Sequence, residues 1–252
     1  MKKKVVWITG ATSGLGKSLS KEFAEKDWLV AASGRNKNSL KKIRKEHPNI
    51  TSFYTDINNK KKCLSVFKII KKKFGKVDLC IFCAGVQNSV KDQSFSIENI
   101  ERTFKTNFFG TMNSINCVYD YFKKRKDGHI SIVSSMAGYI GFPNSGSYGA
   151  SKAALINFAE GLNFDLKRYN VRVSVICPGF IDTPMTNKKH HPKPMMISSK
   201  SAAKKIYDEL IKSKSFEIYF PKSLILLIKL LKIMPYWLYF RIINIMNYYM
   251  KR

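Results

Sequence analysis

The sequence predicts an α/β fold in which about seven parallel strands form a doubly wound sheet, with helices on both faces. Apolar runs of strand length alternate with longer amphipathic stretches, and these runs are almost continuously apolar, as in strands covered on both sides. The chain has 252 residues, 44% of them hydrophobic, which is enough for one domain with a sizeable core. We therefore expect a single α/β domain over residues 1–220 and a separate helical tail over residues 221–252.

Each element follows from the local pattern. The predicted strands cover residues 5–9, 29–33, 52–55, 77–82, 129–134, 171–177 and a short stretch near 216–220. The predicted helices cover roughly residues 14–27, 38–46, 59–73, 97–125, 147–169 and 201–213. Residues 182–200 contain three prolines and no helical period, which predicts a loop. Crossovers between parallel strands are expected to be right-handed.

The charge of the chain is strongly basic, with 45 Lys and Arg against 17 Asp and Glu, a formal net charge of +28. Such a charge attracts nucleic acid, anionic lipid or phosphorylated cofactors. A general compositional preference for Lys, Ile and Asn would produce the same excess, so both explanations stay open. The lysines are spread over helices without a recognisable recognition motif, and we expect no nucleic-acid partner.

The cysteines and histidines indicate neither disulfides nor a metal. The five cysteines are dispersed through apolar stretches, which is typical of a reducing compartment. Cys80 and Cys83 are three apart on a predicted strand and so point to opposite faces, while His190 and His191 are adjacent in a loop. We expect no metal site. Only MKKK precedes the first strand, which leaves no room for a signal peptide and predicts a cytoplasmic protein.

A glycine-rich turn follows the first strand and opens the first helix. In "ITGATSGLGKSL", Gly10, Gly14 and Gly16 share the turn with Ser13 and Leu15. Glycines allow backbone N–H groups to approach a pyrophosphate, whose charge the helix N-terminus favours. In this strand–turn–helix setting the motif predicts a Rossmann-like dinucleotide site.

A second motif, "SYGASK", places Tyr148 four residues before Lys152, so both side chains lie on one helical face. A free phenol has a pKa of about 10. A nearby ammonium favours the phenolate, and we expect Lys152 to lower the pKa of Tyr148. Tyr148 would then exchange a proton with a carbonyl or alcohol oxygen near neutral pH.

With its G-x-x-x-G-x-G turn and Y-x-x-x-K pair, the chain resembles the short-chain dehydrogenase/reductase family over roughly residues 4–220. The resemblance implies that Asn107, Ser135, Tyr148 and Lys152 are catalytic. Ser135 would hydrogen-bond the substrate oxygen, and Asn107 would position a water that relays protons to Lys152. Ser134 competes for the serine role, but Ser135 begins an S-x-x-G pattern thirteen residues before Tyr148.

The same resemblance assigns further cofactor contacts. Asp56 and Ile57 match an adenine-contacting pair, and Tyr148 and Lys152 would also contact the cofactor, with Lys152 on the nicotinamide ribose. Pro178 and Gly179 match the turn beside the nicotinamide, with Ile181 and Thr183 at its carboxamide. The fourth strand usually ends in Asn-Ala-Gly, and here it ends in Cys83-Ala84-Gly85. The missing amide puts a structural hydrogen bond in doubt more than the chemistry.

The end of the second strand favours NADP(H) over NAD(H). No acidic residue occurs between Asp27 and Glu46 to bind a ribose 2′-hydroxyl. Arg35 instead offers a planar fork suited to a 2′-phosphate, with Asn36 and Lys37 beside it. The alternative is an ordinary solvated loop arginine. Reduction is the direction that the resemblance implies for an NADPH enzyme.

The tail, residues 221–252, is apolar and aromatic with a narrow basic stripe. Lys222, Lys229 and Lys232 share one helical face, and Arg241, Asn244, Tyr248 and Lys251 share another after Pro235. Lysines and the proline interrupt the roughly 20 apolar residues that a spanning helix needs. We expect a helix lying in a membrane interface. The alternatives are a soluble dimer in which the tails pack against each other's cores, and a spanning segment.

Together these features predict an NADPH-dependent oxidoreductase at the cytosolic face of a membrane, which reduces a lipophilic carbonyl compound or oxidises the matching alcohol. Lipophilic substrates, and a homodimer or homotetramer, are what the resemblance implies. A narrower hypothesis is a reductase of 3-ketosphinganine type. A different class is a non-catalytic NADP-binding sensor or scaffold, against which the complete set of four catalytic residues argues.

Overall fold

A computed structural model describes residues 3–87, 95–187 and 193–251. The strands are β1 (Val5–Thr9), β2 (Leu29–Gly34), β3 (Ile50–Tyr54), β4 (Leu79–Phe82), β5 (Gly128–Val133), β6 (Val171–Pro178), β7 (Ile181–Asp182), β8 (Ile197–Ser198) and β9 (Glu217–Phe220). The helices are α1 (Gly14–Glu25), α2 (Lys37–Glu46), α3 (Lys60–Phe74), α4 (Ile97–Phe104), α5 (Gly110–Arg125), α6 (Gly146–Lys167), α7 (Pro184–Asn187), α8 (Ser199–Lys212), α9 (Lys222–Ile233) and α10 (Tyr236–Lys251).

Seven strands form one parallel sheet in the order β3-β2-β1-β4-β5-β6-β9. Strand order reverses between β1 and β4, which creates the crevice where open α/β sheets bind ligands. The predicted α/β fold is confirmed. β7 and β8 form a second, two-stranded sheet in which Ile181 and Asp182 pair with Ile197 and Ser198, although the sequence predicts only a loop over residues 182–200. His190 and His191 lie outside the described residues.

Both faces of the sheet are covered because its strands are apolar on both sides. Trp7, Phe82 and Ile130 belong to a core on one face, and Ile8 and Phe23 belong to a core on the other. The central strands are buried throughout, with β1, β4 and β5 exposing no residue. This arrangement brings the polar and glycine-rich turns that follow β1, β2, β4, β5 and β6 to one edge of the sheet.

The predicted helix over residues 97–125 is interrupted. α4 and α5 are joined by one wider π-helical turn, Lys105–Phe109. Such π-bulges are frequent at functional sites because they redirect a side chain without ending the helix. Here the turn contains Asn107, which is fully buried.

The tail forms two helices that pack on the chain's own domain. Ile225 and Ile228 of α9 join the same core as Trp7 and Phe82, and Tyr239 and Ile243 of α10 form a smaller cluster with Leu231. No described helix is both long enough and apolar enough to cross a membrane. The predicted basic stripe is only partly on the outside, because Lys222 and Lys232 are exposed while Lys229 turns toward β9.

Candidate active site

A cleft of about 370 Å³ opens at the carboxyl edge of the sheet, over the strand-order reversal. The turn after β1 forms its floor, and residues from the ends of β2, β4, β5 and β6 and from α6 form its walls. Ligand sites of this size are typical of small-molecule and cofactor clefts.

The glycines of the first turn are required by close backbone packing. Gly10 has φ +72°, and a Cβ there would lie 2.7 Å from Ala84 Cα. A Cβ at Gly16 would lie 2.3 Å from the carbonyl oxygen of Gly10. Any side chain at these positions would therefore separate the turn from α1 or from the end of β4. The result is a bare backbone cradle at the N-terminus of a 12-residue helix, which suits a pyrophosphate.

The end of β2 supplies the wall that the sequence assigns to a 2′-phosphate. Arg35 and Asn36 line the cleft, and Arg35 is exposed and so free of desolvation. Asn36 caps α2, its Oδ1 accepting a hydrogen bond from the N–H of Ser39 at 2.9 Å. Thr12 and Ser33 also line this wall and are not among the predicted cofactor residues. The sequence signal for these two residues is a small hydroxyl side chain close to a glycine, Thr12 between Gly10 and Gly14 and Ser33 before Gly34.

The end of β4 is held by a hydroxyl from β1. Thr9 is buried, and its Oγ1 accepts hydrogen bonds from the N–H groups of Cys83 at 3.1 Å and Ala84 at 3.3 Å. The Cys83-Ala84-Gly85 turn thus keeps its place beside the cleft with a thiol where the family pattern has an amide. Burial raises the pKa of Cys83 to about 11, with the Lys152 charge acting in the opposite direction. Its thiol is neutral at physiological pH.

Asn107 stands behind the cleft and does not line it. Its Oδ1 accepts from the N–H of Val86 at 2.7 Å, and its Nδ2 donates to the carbonyl of Val86 and to Ser151 Oγ, both at 3.0 Å. A Cβ at Gly85 would lie 3.3 Å from Asn107 Oδ1 and 3.5 Å from Lys152 Nζ. The π-helical turn therefore brings the asparagine amide close to the lysine ammonium.

The two adjacent serines after β5 have different partners. Ser134 is buried and donates its hydroxyl to the backbone carbonyl of Lys152 at 2.8 Å. Ser135 begins a 3₁₀ turn, Met136–Gly138, and its Oγ accepts from the N–H of Ala137 at 3.2 Å. The hydroxyl hydrogen of Ser135 is not used in that bond. Ser134 fastens α6 to the sheet, while Ser135 lies on the cleft wall beside Tyr148.

Tyr148 and Lys152 lie one turn apart on α6 and both face the cleft. Lys152 is only 4% exposed; its Nζ donates to the carbonyl of Val133 at 2.9 Å and lies 5.7 Å from the centroid of the Tyr148 ring. Burial lowers the pKa of Lys152 to about 8. The ammonium is therefore close to losing its proton in the physiological range.

The expected lowering of the Tyr148 pKa is wrong for this state of the protein. Burial raises the pKa of Tyr148 to about 12, and a hydrogen bond with Ser135 lowers it only in part. The physical reason is that removal of the phenol from water disfavours the phenolate, while Lys152 points its ammonium at the Val133 carbonyl. At neutral pH the phenol is protonated, which suits a proton donor.

Most of the predicted site residues line this one cleft. They are Gly10, Ser13, Gly14, Leu15, Gly16, Arg35, Asn36, Ile57, Cys83, Ala84, Gly85, Ser135, Tyr148, Lys152, Pro178, Gly179, Ile181 and Thr183. Asp56 is not among the lining residues; its Oδ1 accepts from the N–H of Asn58 at 3.0 Å. Lining residues absent from the prediction include Thr106, Met185 and Thr186, and the last two belong to the short helix α7, inside the predicted loop.

A parallel sheet with a glycine cradle at its strand-order reversal and a tyrosine–lysine pair beside it defines an oxidoreductase of the dinucleotide-dependent class. Comparison with protein families identifies it further. A sequence profile described as short chain dehydrogenase matches residues 4–194. The chain belongs to the short-chain dehydrogenase family.

Individual relatives are distant in sequence but align with most of the chain. The chain is 28% identical to an uncharacterized oxidoreductase of Myxococcus xanthus over 93% of this chain and 94% of that protein. It is 30% identical to a 3-ketodihydrosphingosine reductase of Bos taurus over 75% of this chain and 60% of that protein. A solved short chain dehydrogenase of Burkholderia cenocepacia, in complex with NADP, superposes with a TM-score of 0.76 and 28% identity. That alignment covers 86% of this chain and 88% of the other.

Proposed function

We propose that this oxidoreductase uses NADPH to reduce the carbonyl group of a lipophilic substrate, with Tyr148 as the proton donor. The observation that carries the proposal is the pair of Tyr148 and Lys152 on one face of α6, beside the glycine cradle and Ser135 in one cleft. All of these groups meet at the edge of the sheet where the strand order reverses.

The cleft fits the dinucleotide. The cradle that a Cβ at Gly10 or Gly16 would disrupt can hold the pyrophosphate, and Arg35 and Asn36 can hold the 2′-phosphate. Lys152 is within reach of a ribose on the nicotinamide side, beside Pro178 and Gly179. The NADP complex of the Burkholderia cenocepacia relative supports this assignment. When bound, NADPH supplies the hydride for the carbonyl carbon.

The protein's own residues then handle the carbonyl oxygen. The Oγ of Ser135 accepts from the N–H of Ala137, so its hydroxyl hydrogen can turn from Tyr148 to the carbonyl oxygen and orient that oxygen toward the phenol. The phenol, whose pKa is about 12, keeps its proton until the oxygen becomes an alkoxide, which is the stronger base. The proton then moves from Tyr148 to the oxygen, so that the carbonyl becomes an alcohol and Tyr148 becomes a phenolate.

Lys152 and Asn107 support the return of the proton. A phenolate at Tyr148 is favoured by the ammonium of Lys152, which lies beside its ring. Asn107 Oδ1 and Lys152 Nζ both flank Gly85, at 3.3 Å and 3.5 Å from the position of an added Cβ, and a water molecule between the two groups would bridge them. Such a water would pass a proton from solvent to Lys152 and then to Tyr148.

The lipophilic substrate and the membrane are proposed from the outside of the tail. An exposed apolar surface, the outer tail face, runs along both tail helices and comprises Leu226, Leu227, Leu230, Ile233, Tyr236, Trp237 and Phe240. Ile233, Tyr236 and Trp237 are 79%, 77% and 69% exposed. A group of large exposed apolar side chains on two consecutive helices indicates an interaction site.

Charge favours an anionic lipid surface as the occupant. Lys222, Lys232 and Arg241 are exposed around the outer tail face, and the sequence has no acidic residue after Glu217. A second copy would bring the same basic rim against itself, whereas anionic headgroups would neutralise it. Tryptophan and tyrosine side chains also suit the interface between headgroups and acyl chains. We propose on this basis that the protein lies on an anionic membrane surface, and that this surface is the cytosolic face that the sequence predicts.

Vesicle sedimentation tests the membrane contact. Wild-type protein should pellet with phosphatidylserine-containing vesicles and much less with pure phosphatidylcholine, because both burial and charge contribute. Leu230→Ser combined with Trp237→Ser should weaken binding by about tenfold or more. Ile69→Ser on α3, another exposed apolar residue, is the matched control. Lipid would be rejected as the occupant if the sedimented fraction of wild-type protein were the same with and without vesicles. It would also be rejected if the protein formed concentration-dependent dimers that the double variant abolishes.

A narrower substrate is the second candidate. The 30% identity with the bovine 3-ketodihydrosphingosine reductase over 205 residues favours a long-chain amino ketone of 3-ketosphinganine type. A non-catalytic NADP sensor would bind the cofactor but show no turnover. Measurement of NADPH oxidation with 3-ketosphinganine and other carbonyl compounds distinguishes these two alternatives from a reductase of another lipophilic substrate.

A homo-oligomer is proposed from exposed rings on the helices that pair subunits in this family. Phe109, immediately before α5, and Phe164 on α6 are 59% and 76% exposed. Burial of two large rings in a symmetric contact would stabilise a dimer. Light scattering should give a dimer or tetramer mass that falls to the monomer in Phe164→Ser, and a monomeric wild type would contradict this.

NADPH oxidation against lipid ketones and aldehydes, including 3-ketosphinganine, tests the function. We expect turnover with NADPH well above that with NADH. Arg35→Ser should lower kcat/KM for NADPH by about 10–100-fold, because a charge-assisted hydrogen bond to phosphate is lost. The kcat/KM for NADH should stay almost unchanged. Arg44→Ser, an exposed arginine on α2, is the control. Equal use of both cofactors by wild type would remove Arg35 from the phosphate site.

A further inference from the structure

A polar cluster outside the cleft joins the tail to the segment that carries Ser135. Glu217 is the first residue of β9, and its Oε1 accepts a hydrogen bond from the Tyr139 hydroxyl at 2.7 Å. Its other carboxylate oxygen forms an ion pair with Lys229 of α9. The Lys229 ammonium lies 4.6 Å from the ring centroid of Tyr219 and 5.3 Å from that of Tyr139. One carboxylate thus connects three separate segments of the chain.

On the side of the cleft, Tyr139 ends the 3₁₀ turn that Ser135 begins. The N–H of Gly138 donates to the carbonyl of Ser135 at 3.0 Å, and the N–H of Tyr139 donates to that of Met136 at 3.1 Å. The turn rests directly on α6, since a Cβ at Gly138 would lie 2.9 Å from the carbonyl carbon of Lys152. A shift of Tyr139 would therefore move Ser135 relative to Tyr148 and Lys152.

The second tail helix holds the same segment further along. The hydroxyl of Tyr239 in α10 donates to the carbonyl oxygen of Gly141. Ile140, between the two anchored positions, packs against the small cluster of Leu231, Tyr239 and Ile243. Residues 135–141 are thus fastened by hydrogen bonds at Tyr139 and Gly141, and a hydrophobic contact lies between them.

The environment makes the Tyr139–Glu217 bond costly to break. Tyr139 is 8% exposed, and the side chains of Glu217 and Lys229 are 24% and 35% exposed, so water competes weakly for them. Burial, together with Cys177 and Glu217, raises the pKa of Tyr139 well above its ordinary value, and its hydroxyl stays a donor. Removal of the carboxylate would leave this phenol without that acceptor and Lys229 without its counter-ion.

We infer that Glu217 is a positioning residue that acts through Tyr139 to hold the segment 135–141 so that the Ser135 hydroxyl meets the substrate oxygen. The inference rests on the proposed carbonyl reduction, while the position of the segment can be measured without any substrate. It also gives the tail helices a role in the geometry of the site. Lys229 of α9 pairs with Glu217, and Tyr239 of α10 binds the carbonyl of Gly141, so both helices help to hold the segment 135–141.

The kinetic test uses Tyr139→Phe, Glu217→Ala and the double variant. Each single change should lower kcat by about tenfold, since small displacements of a positioning group have effects of this order or larger. The Kd for NADPH should not change, because the glycine cradle lies on β1 and α1. The double variant should be no slower than the slower single variant, because both remove the same bond. Tyr169→Phe is the control, because it removes the hydroxyl of a tyrosine that follows α6 at the end opposite to Tyr148.

Amide hydrogen exchange provides the second readout. Exchange of residues 136–141 should accelerate in Tyr139→Phe and Glu217→Ala, and that of residues 10–16 should stay unchanged. If these variants melt at a lower temperature but keep wild-type kcat, carbonyl KM and exchange of residues 136–141, the role is merely structural and the inference is overturned. If wild type shows no turnover above Tyr148→Phe, the proposed function fails, and the exchange result alone decides whether Glu217 holds the segment.

Discussion

Tyr148→Phe should lower kcat for carbonyl reduction by about 1,000-fold while NADPH binds as tightly as before. The variant removes the phenolic hydroxyl, which is the proposed proton donor and a hydrogen-bond partner of Ser135. General acid catalysis of this kind contributes about 10²–10⁴-fold. The ring remains to pack beside Lys152, so the cleft and the cradle keep their shape. Steady-state kinetics with the best carbonyl of the panel, together with fluorescence titration of NADPH, measures both quantities.

The same variant separates an enzyme from a sensor. If the protein only binds the dinucleotide, wild type and Tyr148→Phe should show the same trace of NADPH oxidation and the same Kd. Tyr139→Phe serves as a comparison, since the same chemical change at a positioning residue is expected to cost about tenfold rather than 1,000-fold. A Tyr148→Phe enzyme that retains most of its kcat would require another proton donor in the cleft.

Gly16→Ala should weaken NADPH binding by about 100-fold or more. The added Cβ would lie 2.3 Å from the carbonyl oxygen of Gly10, a distance that forces the backbone of the turn away from α1. The N–H groups that form the cradle would then no longer converge on a pyrophosphate, and several charge-assisted bonds of about 1.5–3 kcal/mol each would be lost. Isothermal titration with NADPH gives the Kd, and thermal melting reports the accompanying loss of stability.

Gly161→Ala is the matched control for that change. Gly161 lies in the middle of α6, and a Cβ there would meet no atom within 4 Å. The same substitution should therefore leave the Kd for NADPH unchanged and stabilise the fold by about 0.5–1 kcal/mol, because alanine is the better helix former. If Gly16→Ala bound NADPH like wild type, the turn after β1 would not be the pyrophosphate site.

The fold and the outline of the cleft could be predicted because they depend on local patterns. Buried parallel strands are apolar on both sides, so β1, β4 and β5 stand out in the sequence. The glycine turn and the Tyr148–Lys152 pair are each contained within a few residues. Their meeting in one cleft follows from the parallel sheet, which brings the ends of its strands to a single edge.

The remaining features depend on partners that are distant in the sequence. The bonds from Thr9 to the end of β4 and from Tyr139 to Glu217 join residues more than 70 positions apart, and no spacing rule reveals them. The direction of the Tyr148 pKa shift depends on the balance between burial and the orientation of Lys152. Helical period alone predicts an outward-facing Lys229, whereas its inward ion pair depends on Glu217 in a different element.

The packing of α9 into the main core bears on how the protein is made. Ile225 and Ile228 fill the same interior as Trp7, which ribosomes deliver more than two hundred residues earlier. During synthesis, the apolar surface of the sheet that α9 covers therefore stays exposed until α9 has left the ribosomal exit tunnel. Chaperones that shield apolar patches would be most needed in that interval, and final compaction can begin only after translation has passed the tail.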